Sequence, residues 1–210
     1  MPWLIEKRDP AVRAMTLRML LDRSPRDAEV REAQARAMSS PPISTILRHQ
    51  GAEGTWNGGH YSPKYRASHW SMLLLTEYGV DGSDGRVRLG ARRILEDVAA
   101  GNAGMGWVLD RDHGAACYTA NVVRYACLAG YGADARLEPL VTRLIRDAKK
   151  FDAACWINSD QPCAWGYARL VWGLAALPEG ARTREVERAV RRGVEFLMSY
   201  RPERAEYPSA

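Results

Sequence analysis

The chain has 210 residues, 46% of them apolar and 26% charged, with a formal net charge of +5. It is long enough for one sizeable domain with a real hydrophobic core, and its composition is ordinary for a soluble globular protein. No apolar run approaches the ~18–20 residues that a bilayer span needs. The basic excess is interleaved with carboxylates, as in Arg184, Glu185, Glu187 and Arg188, which fits a solvated helix face better than a nucleic-acid footprint.

The N-terminal stretch from Met1 to Pro10 lacks the charged-then-apolar order of a signal peptide, so a cytoplasmic location is expected. Four cysteines in that compartment imply reduced thiols or a metal. Asp9-Pro10 can start a helix with Val12, Met15 and Met19 on one face. Ser24-Pro-Arg-Asp27 opens a second, more polar helix through about Met38, and Ser39-Ser-Pro-Pro42 ends it. Residues 1–38 are therefore expected as a helical hairpin that caps a stack of repeats, because terminal repeats are usually atypical.

Beyond residue 38 three segments align. Trp56, Trp107 and Trp156 are spaced 51 and then 49 residues apart, while Val87, Leu137 and Val186 are spaced 50 and then 49. Two markers thus agree on a repeat of about fifty residues, long enough for a helix pair. The pairs are expected at about 42–97, 98–149 and 150–199. In each, the first helix is rich in apolar residues: Trp70 to Glu77, Tyr118 to Ala129, and Cys163 to Leu177. Trp70, Met72, Leu73, Leu74 and Leu75 are apolar nearly all round, which suits a helix buried on several sides. The second helix is amphipathic, with Val87, Ala91, Ile94 and Leu95 at three-four spacing. Asp84, Asp134 and Thr183 stand where its N-cap is wanted, and Gly79, Gly132 and Pro178-Glu-Gly180 break the chain between the helices. An inner layer of apolar helices wrapped by an outer amphipathic layer is the expected architecture.

Gln50-Gly-Ala-Glu-Gly54-Thr-Trp56 resembles the QW motif of squalene–hopene and oxidosqualene cyclases. The second segment keeps a looser form, Gly104-Met-Gly-Trp107, and the third keeps only Trp156. Tyr61-Ser-Pro-Lys-Tyr65, Cys117-Tyr-Thr-Ala-Asn121, Pro162-Cys-Ala-Trp-Gly166 and Glu206-Tyr-Pro208 are similar to a bacterial group of squalene-cyclase-like proteins with prenyltransferase repeats. These stretches cover nearly the whole chain. The resemblance implies an all-α fold, an α/α toroid of the terpenoid-cyclase and protein-prenyltransferase kind. Three pairs and a cap imply a partial toroid, truncated at the C-terminus or completed by a second chain. The Asp-x-Asp-Asp acid motif of the cyclases is absent, Asp81-Gly-Ser-Asp84 and Asp110-Arg-Asp112 being the nearest approaches.

Three site candidates stand out. Cys117 and Cys163 begin successive inner helices, and Cys155 lies eight residues before Cys163, within reach of it. With His113 or Asp112 as a fourth ligand this would be a zinc set, and the resemblance implies a zinc at this end of the barrel. The alternative is plain packing, since cysteine is among the most readily buried residues; Cys127, in mid-helix, belongs with packing. Asp112, the candidate general acid, and His113 are also the candidate catalytic residues. The second candidate is His60, Tyr61, Lys64, Tyr65 and Trp70, leading into the first inner helix. A cation, hydroxyls, imidazoles and a positive helix end would suit a diphosphate, while the alternative is a helix start with solvated Lys64 and Arg66 and a hydrogen-bonded core His69. The third is aromatic lining by Tyr61, Tyr65, Trp70, Tyr118, Trp165 and Trp172, whose ring faces could stabilise a carbocation or simply form core.

These readings support an isoprenoid-binding protein that takes an apolar lipid-like molecule, with zinc-assisted transferase or cyclase-like chemistry. The alternative is a noncatalytic helical-repeat module with a protein or lipid partner. An open stack also exposes the apolar side of its last helix pair, so self-association is expected. A DNA-binding helical arc is the weakest of the readings.

Overall fold

A computed structural model describes residues 2–101, 115–149, 154–155 and 161–199, and its order of elements is all-α apart from one two-residue strand pair. Two compact units divide the chain at Arg93 and Ile94.

The first unit opens with a short 3-10 turn, Pro2–Ile5, and then α1, Pro10–Met19. Asp9 caps α1, its carboxylate accepting from the Val12 N–H at 3.2 Å, with Pro10 at the position where a missing N–H costs nothing. The buried face differs from expectation. Ala11, Ala14, Thr16 and Leu17 are buried, whereas Val12 and Met15 are half-buried and Met19 is exposed. Small residues win that face because α2, Ala28–Ser39, packs closely along it. Ala14 and Leu17 of α1 meet Val30 and Ala33 of α2, and Arg13 bonds Glu29 between them. Asp27 caps α2 through the Glu29 N–H at 2.9 Å. This hairpin is held within the unit by Met15, which packs on Gly79, and by Gln34, which donates to the Gly79 carbonyl at 2.9 Å.

Pro41-Pro42 ends α2 as expected but also leads into an unexpected helix, α3, Ile43–Arg48, which buries Ile43 and Leu47. Then come α4, Ser68–Glu77, and α5, Gly85–Ala99, within which the boundary between the units falls. The α4 helix is not apolar-faced all round. Its buried side is Ser68, His69, Met72, Leu75 and Thr76, while Trp70 and Leu73 are half-buried and Leu74 is exposed. The α5 helix buries Val87, Ala91, Ile94 and Leu95, the face the three-four spacing indicates, and Asp84 caps it through the Arg86 N–H at 2.9 Å.

The second unit holds α6, Ala116–Leu128; α7, Glu138–Lys149; α8, Ala164–Ala175; and α9, Arg184–Ser199. The helices α6 and α8 pack against each other, as do α7 and α9, and α9 lies on α8. Tyr167 stacks on Phe196 at 3.9 Å across the last contact. Thr183 accepts the Val186 N–H and starts α9 as expected, whereas Asp134, accepting the Arg136 N–H, caps a 3-10 turn, Ala135–Leu137, that leads into α7. Between α7 and α8, β1, Ala154–Cys155, pairs antiparallel with β2, Gln161–Pro162. An ion pair is buried among the described residues of this unit: on α7, Arg143 Nε donates to the Asp147 carboxylate at 2.9 and 3.1 Å, and both side chains are almost wholly enclosed.

Candidate functional site

The segment after α3 shows how the QW-like residues work. Gly54 has φ +82°, a left-handed conformation that favours glycine, and it leans on Leu89, where a Cβ would collide. That turn aims the Gln50 side chain at two carbonyls, those of Gly54 at 3.1 Å and Arg86 at 2.9 Å. Trp56 is 2% exposed, donates from Nε1 to the Ile46 carbonyl at 2.7 Å, and lies where only the absent side chain of Gly90 leaves room. Gln50 thus fastens the first turn of α5 while Trp56 fills the space beside it.

The next segment, 57–67, folds back onto the start of α4. The Ser68 and His69 amides donate to the Gly59 and His60 carbonyls, and Ser68 Oγ also reaches Gly59 O at 2.7 Å. Free N–H groups at a helix start are what would hold a diphosphate, and here two of them are already engaged. Above them sits an aromatic cluster: Tyr61 is 5.0 Å from Trp70 and 5.6 Å from His69, and Tyr65 is 4.9 Å from Trp70. Trp70 Nε1 donates to the Tyr61 carbonyl at 2.9 Å. Lys64 lies over the Tyr65 ring at 5.0 Å, and Tyr65, at φ +67°, is 66% exposed. His69 is buried. Burial first, and the neighbouring His60 second, push its imidazole down to about 3, so at neutral pH it is uncharged. Five candidates of the first unit therefore converge: His60, Tyr61, Lys64, Tyr65 and Trp70 form one folded loop and helix start.

In the second unit Cys117 stands in the first turn of α6, and Cys163 is the N-cap of α8, its sulfur accepting the Gly166 N–H at 3.3 Å. That cap is a role the sequence spacing does not reveal, since cysteine is an uncommon capping residue. Cys155 on β1 sits opposite Gln161. Burial pushes the Cys117 thiol up to about 11, and the nearby Cys163 and Cys155 thiols push in the same direction. The three are thus electrostatic neighbours, yet among the described residues no three His, Cys, Asp or Glu side chains are grouped to hold a metal ion. Asp112 and His113 lie outside the described residues, as do Trp107 and Trp156. Cys127 is raised to about 11 by burial alone, in keeping with packing.

The aromatic residues separate by unit. Tyr118 is buried on α6, near Tyr125. Trp165 and Trp172 are 57% and 48% exposed on α8, so the core reading is wrong for them. Between them Arg169, only 7% exposed, lies over Trp165 at 4.1 Å and over Trp172 at 5.0 Å, and Arg124 of α6 lies over Trp172 at 4.5 Å. The result is a ladder, Trp165–Arg169–Trp172–Arg124, open to solvent along one edge. Two open surface depressions of the second unit, of about 190 and 460 Å³, are bordered instead by charged residues of α7 and α9 such as Glu185, Arg188 and Arg146.

Comparison with protein-family models, with curated proteins and with solved structures finds no match to this chain. No described helix is long and apolar enough to cross a membrane.

Proposed function

We propose that this is an isoprenoid-binding helical-repeat protein of the terpenoid-cyclase and prenyltransferase kind, and that its ligand lies along the inner-helix ladder of the second unit. The observation that carries the reading is that ladder: two half-exposed indoles with a guanidinium held between them. Indole edges offer an apolar track, and guanidinium groups favour an anionic end such as a diphosphate. Support for the repeat comes from the inner helices, which begin at Ser68, Ala116 and Ala164, 48 residues apart each time. The Gln50–Trp56 geometry, a Gln fastening the first turn of the outer helix and a Trp filling the space beside it, supports the QW resemblance.

A second reading, a noncatalytic module for a lipid or protein partner, is favoured by one detail. Arg124 and Arg169 both already lie over the Trp172 ring, so cation contacts of that ring are supplied from within the protein. Zinc at Cys117, Cys155 and Cys163 stays a separate proposal, because its expected fourth ligand, Asp112 or His113, lies outside the described residues.

Titration of the intact chain with farnesyl diphosphate, farnesol and inorganic diphosphate, followed by tryptophan fluorescence, tests the reading. Binding of farnesyl diphosphate that is lost in Trp165→Ala supports it. Binding of farnesol alone moves the case toward a lipid module, and no response to any of the three sinks both isoprenoid versions. Metal analysis decides the zinc: one ion per chain, lost in Cys163→Ser, would restore it.

A further inference from the structure

The two helices of the ladder carry matching rows of residues on one side of their contact. Where they meet, a Cβ added to Gly173 of α8 would come within 2.6 Å of the Ala120 carbonyl oxygen of α6. The offset between the helix starts, Ala116 and Ala164, places Trp165, Arg169 and Trp172 at the positions that Cys117, Asn121 and Arg124 hold on α6. Both rows follow four-three spacing, so each lies along one helix face. Arg124 and Arg169 both lie over the Trp172 ring, which brings the two rows to the same side. Asn121 stands one turn from Arg124 in its own row and at the register position of Arg169. It is 5% exposed, and its Oδ1 is buried without a hydrogen bond among the described residues. A buried carbonyl is normally answered by a donor, and here the described fold supplies none.

We infer that Asn121 is a specificity-determining residue of the ladder site, its Oδ1 accepting the proton of a free hydroxyl at the polar end of an isoprenoid. This role rests on the ladder being the ligand site, as proposed above. Guanidinium groups only donate, so by themselves they take any oxygen lone pair. An amide carbonyl set beside them adds a second demand, that the ligand's oxygen carry a hydrogen. An alcohol meets both, with its lone pairs toward the guanidinium groups and its O–H toward Asn121. An ether or a fully ionised diphosphate offers acceptors alone and leaves the carbonyl unanswered. A site built around a hydroxyl rejects the analogue that lacks one more strongly than an apolar pocket does, because its own buried polar group is then left unpaired.

Titration of the intact chain with farnesol and with farnesyl methyl ether, read by tryptophan fluorescence, is the test. Farnesol is expected to bind about tenfold more tightly or better. Asn121→Leu, close in shape, should reduce that preference to about twofold or less, by weakening farnesol while leaving the ether's affinity unchanged. Urea denaturation of the same variant separates a structural role. Its midpoint should hold or rise, because an apolar side chain of similar shape replaces an unanswered amide. Equal affinity for the two probes in the intact chain overturns the inference and leaves the ladder reading standing. So does a preference that survives Asn121→Leu, or a lowered urea midpoint, which would assign the amide to the fold. Binding of neither probe overturns the ladder reading itself, and the role of Asn121 with it.

Discussion

Trp56 in the first unit and Trp172 in the second are the same residue put to opposite use. Trp56 is enclosed, its N–H spent on a backbone carbonyl and its ring set against a glycine. Trp172 is half-exposed, with two guanidinium groups over its ring. The first unit spends Trp56 on joining elements, whereas the second displays Trp165 and Trp172 on a surface. Size and aromaticity decide neither outcome; what lies within reach of the ring does. The QW-like turn is therefore structural, and the ladder carries the proposed binding role.

The sharpest way to break this contrast is truncation. Trp56→Ala should cost about 3–5 kcal/mol, the usual range for deleting a buried large aromatic, read as a lower urea midpoint with helix content kept in the native baseline. A loss below about 1 kcal/mol would mean that Trp56 is no plug. The same order of loss is expected for Asp147→Ala, which leaves the enclosed Arg143 guanidinium without its carboxylate. Replacing both, Arg143→Met with Asp147→Leu, should recover most of it, since apolar residues of similar volume often substitute well for a buried pair. If the double variant is as unstable as the single one, the pair is making a specific contribution beyond mutual neutralisation.

How far the sequence reaches is clear from particular elements. Asp9, Asp27, Asp84, Asp134 and Thr183 are all legible as helix starts, because an N-cap bonds N–H groups two or three residues away and so leaves a local signature. The α3 helix is not legible, since six residues after Pro41-Pro42 are too few for a period and the prolines read as a stop. On α1 the expectation follows the large side chains Val12, Met15 and Met19, while close approach of α2 selects Ala11 and Ala14. Of the site, the loop from His60 to Trp70 is legible because its residues are neighbours in sequence. The Trp165–Arg169–Trp172 run lies at three-four spacing on one helix, but whether such a stripe is buried depends on what another element covers, and Arg124 arrives from α6. The mutual placement of Cys117, Cys155 and Cys163 depends likewise on packing, not spacing.

The first unit also carries a buried histidine that titrates far from its ordinary value. His69 is held to about 3 in the folded chain against an ordinary value of 6.5. The unfolded chain therefore binds a proton, below about pH 6.5, that the folded chain refuses. The associated stability is present above that pH and is lost as pH falls through the window from 6.5 toward 3, with a slope of up to about 1.4 kcal/mol per pH unit. His69→Gln should flatten the dependence of unfolding free energy on pH between 6 and 4, read by urea denaturation. An unchanged slope would assign the acid sensitivity to another group.

The smallest expected change in stability tests the ladder itself. Trp165→Ala and Trp172→Ala each remove one exposed ring from a cation. Exposed cation–π contacts contribute about 0.5–1 kcal/mol, so the unfolding free energy should fall by no more than about that amount per contact. Trp172 has two such contacts and Trp165 has one, so the order Trp172→Ala above Trp165→Ala is itself a prediction. A cycle with Arg169→Ala would isolate the coupling. A loss like that of Trp56→Ala would show the ladder to be a structural seam, and the contrast between the two units would collapse. A small loss together with abolished farnesyl diphosphate binding would show the opposite: that residues contributing least to stability here are the ones kept for a ligand.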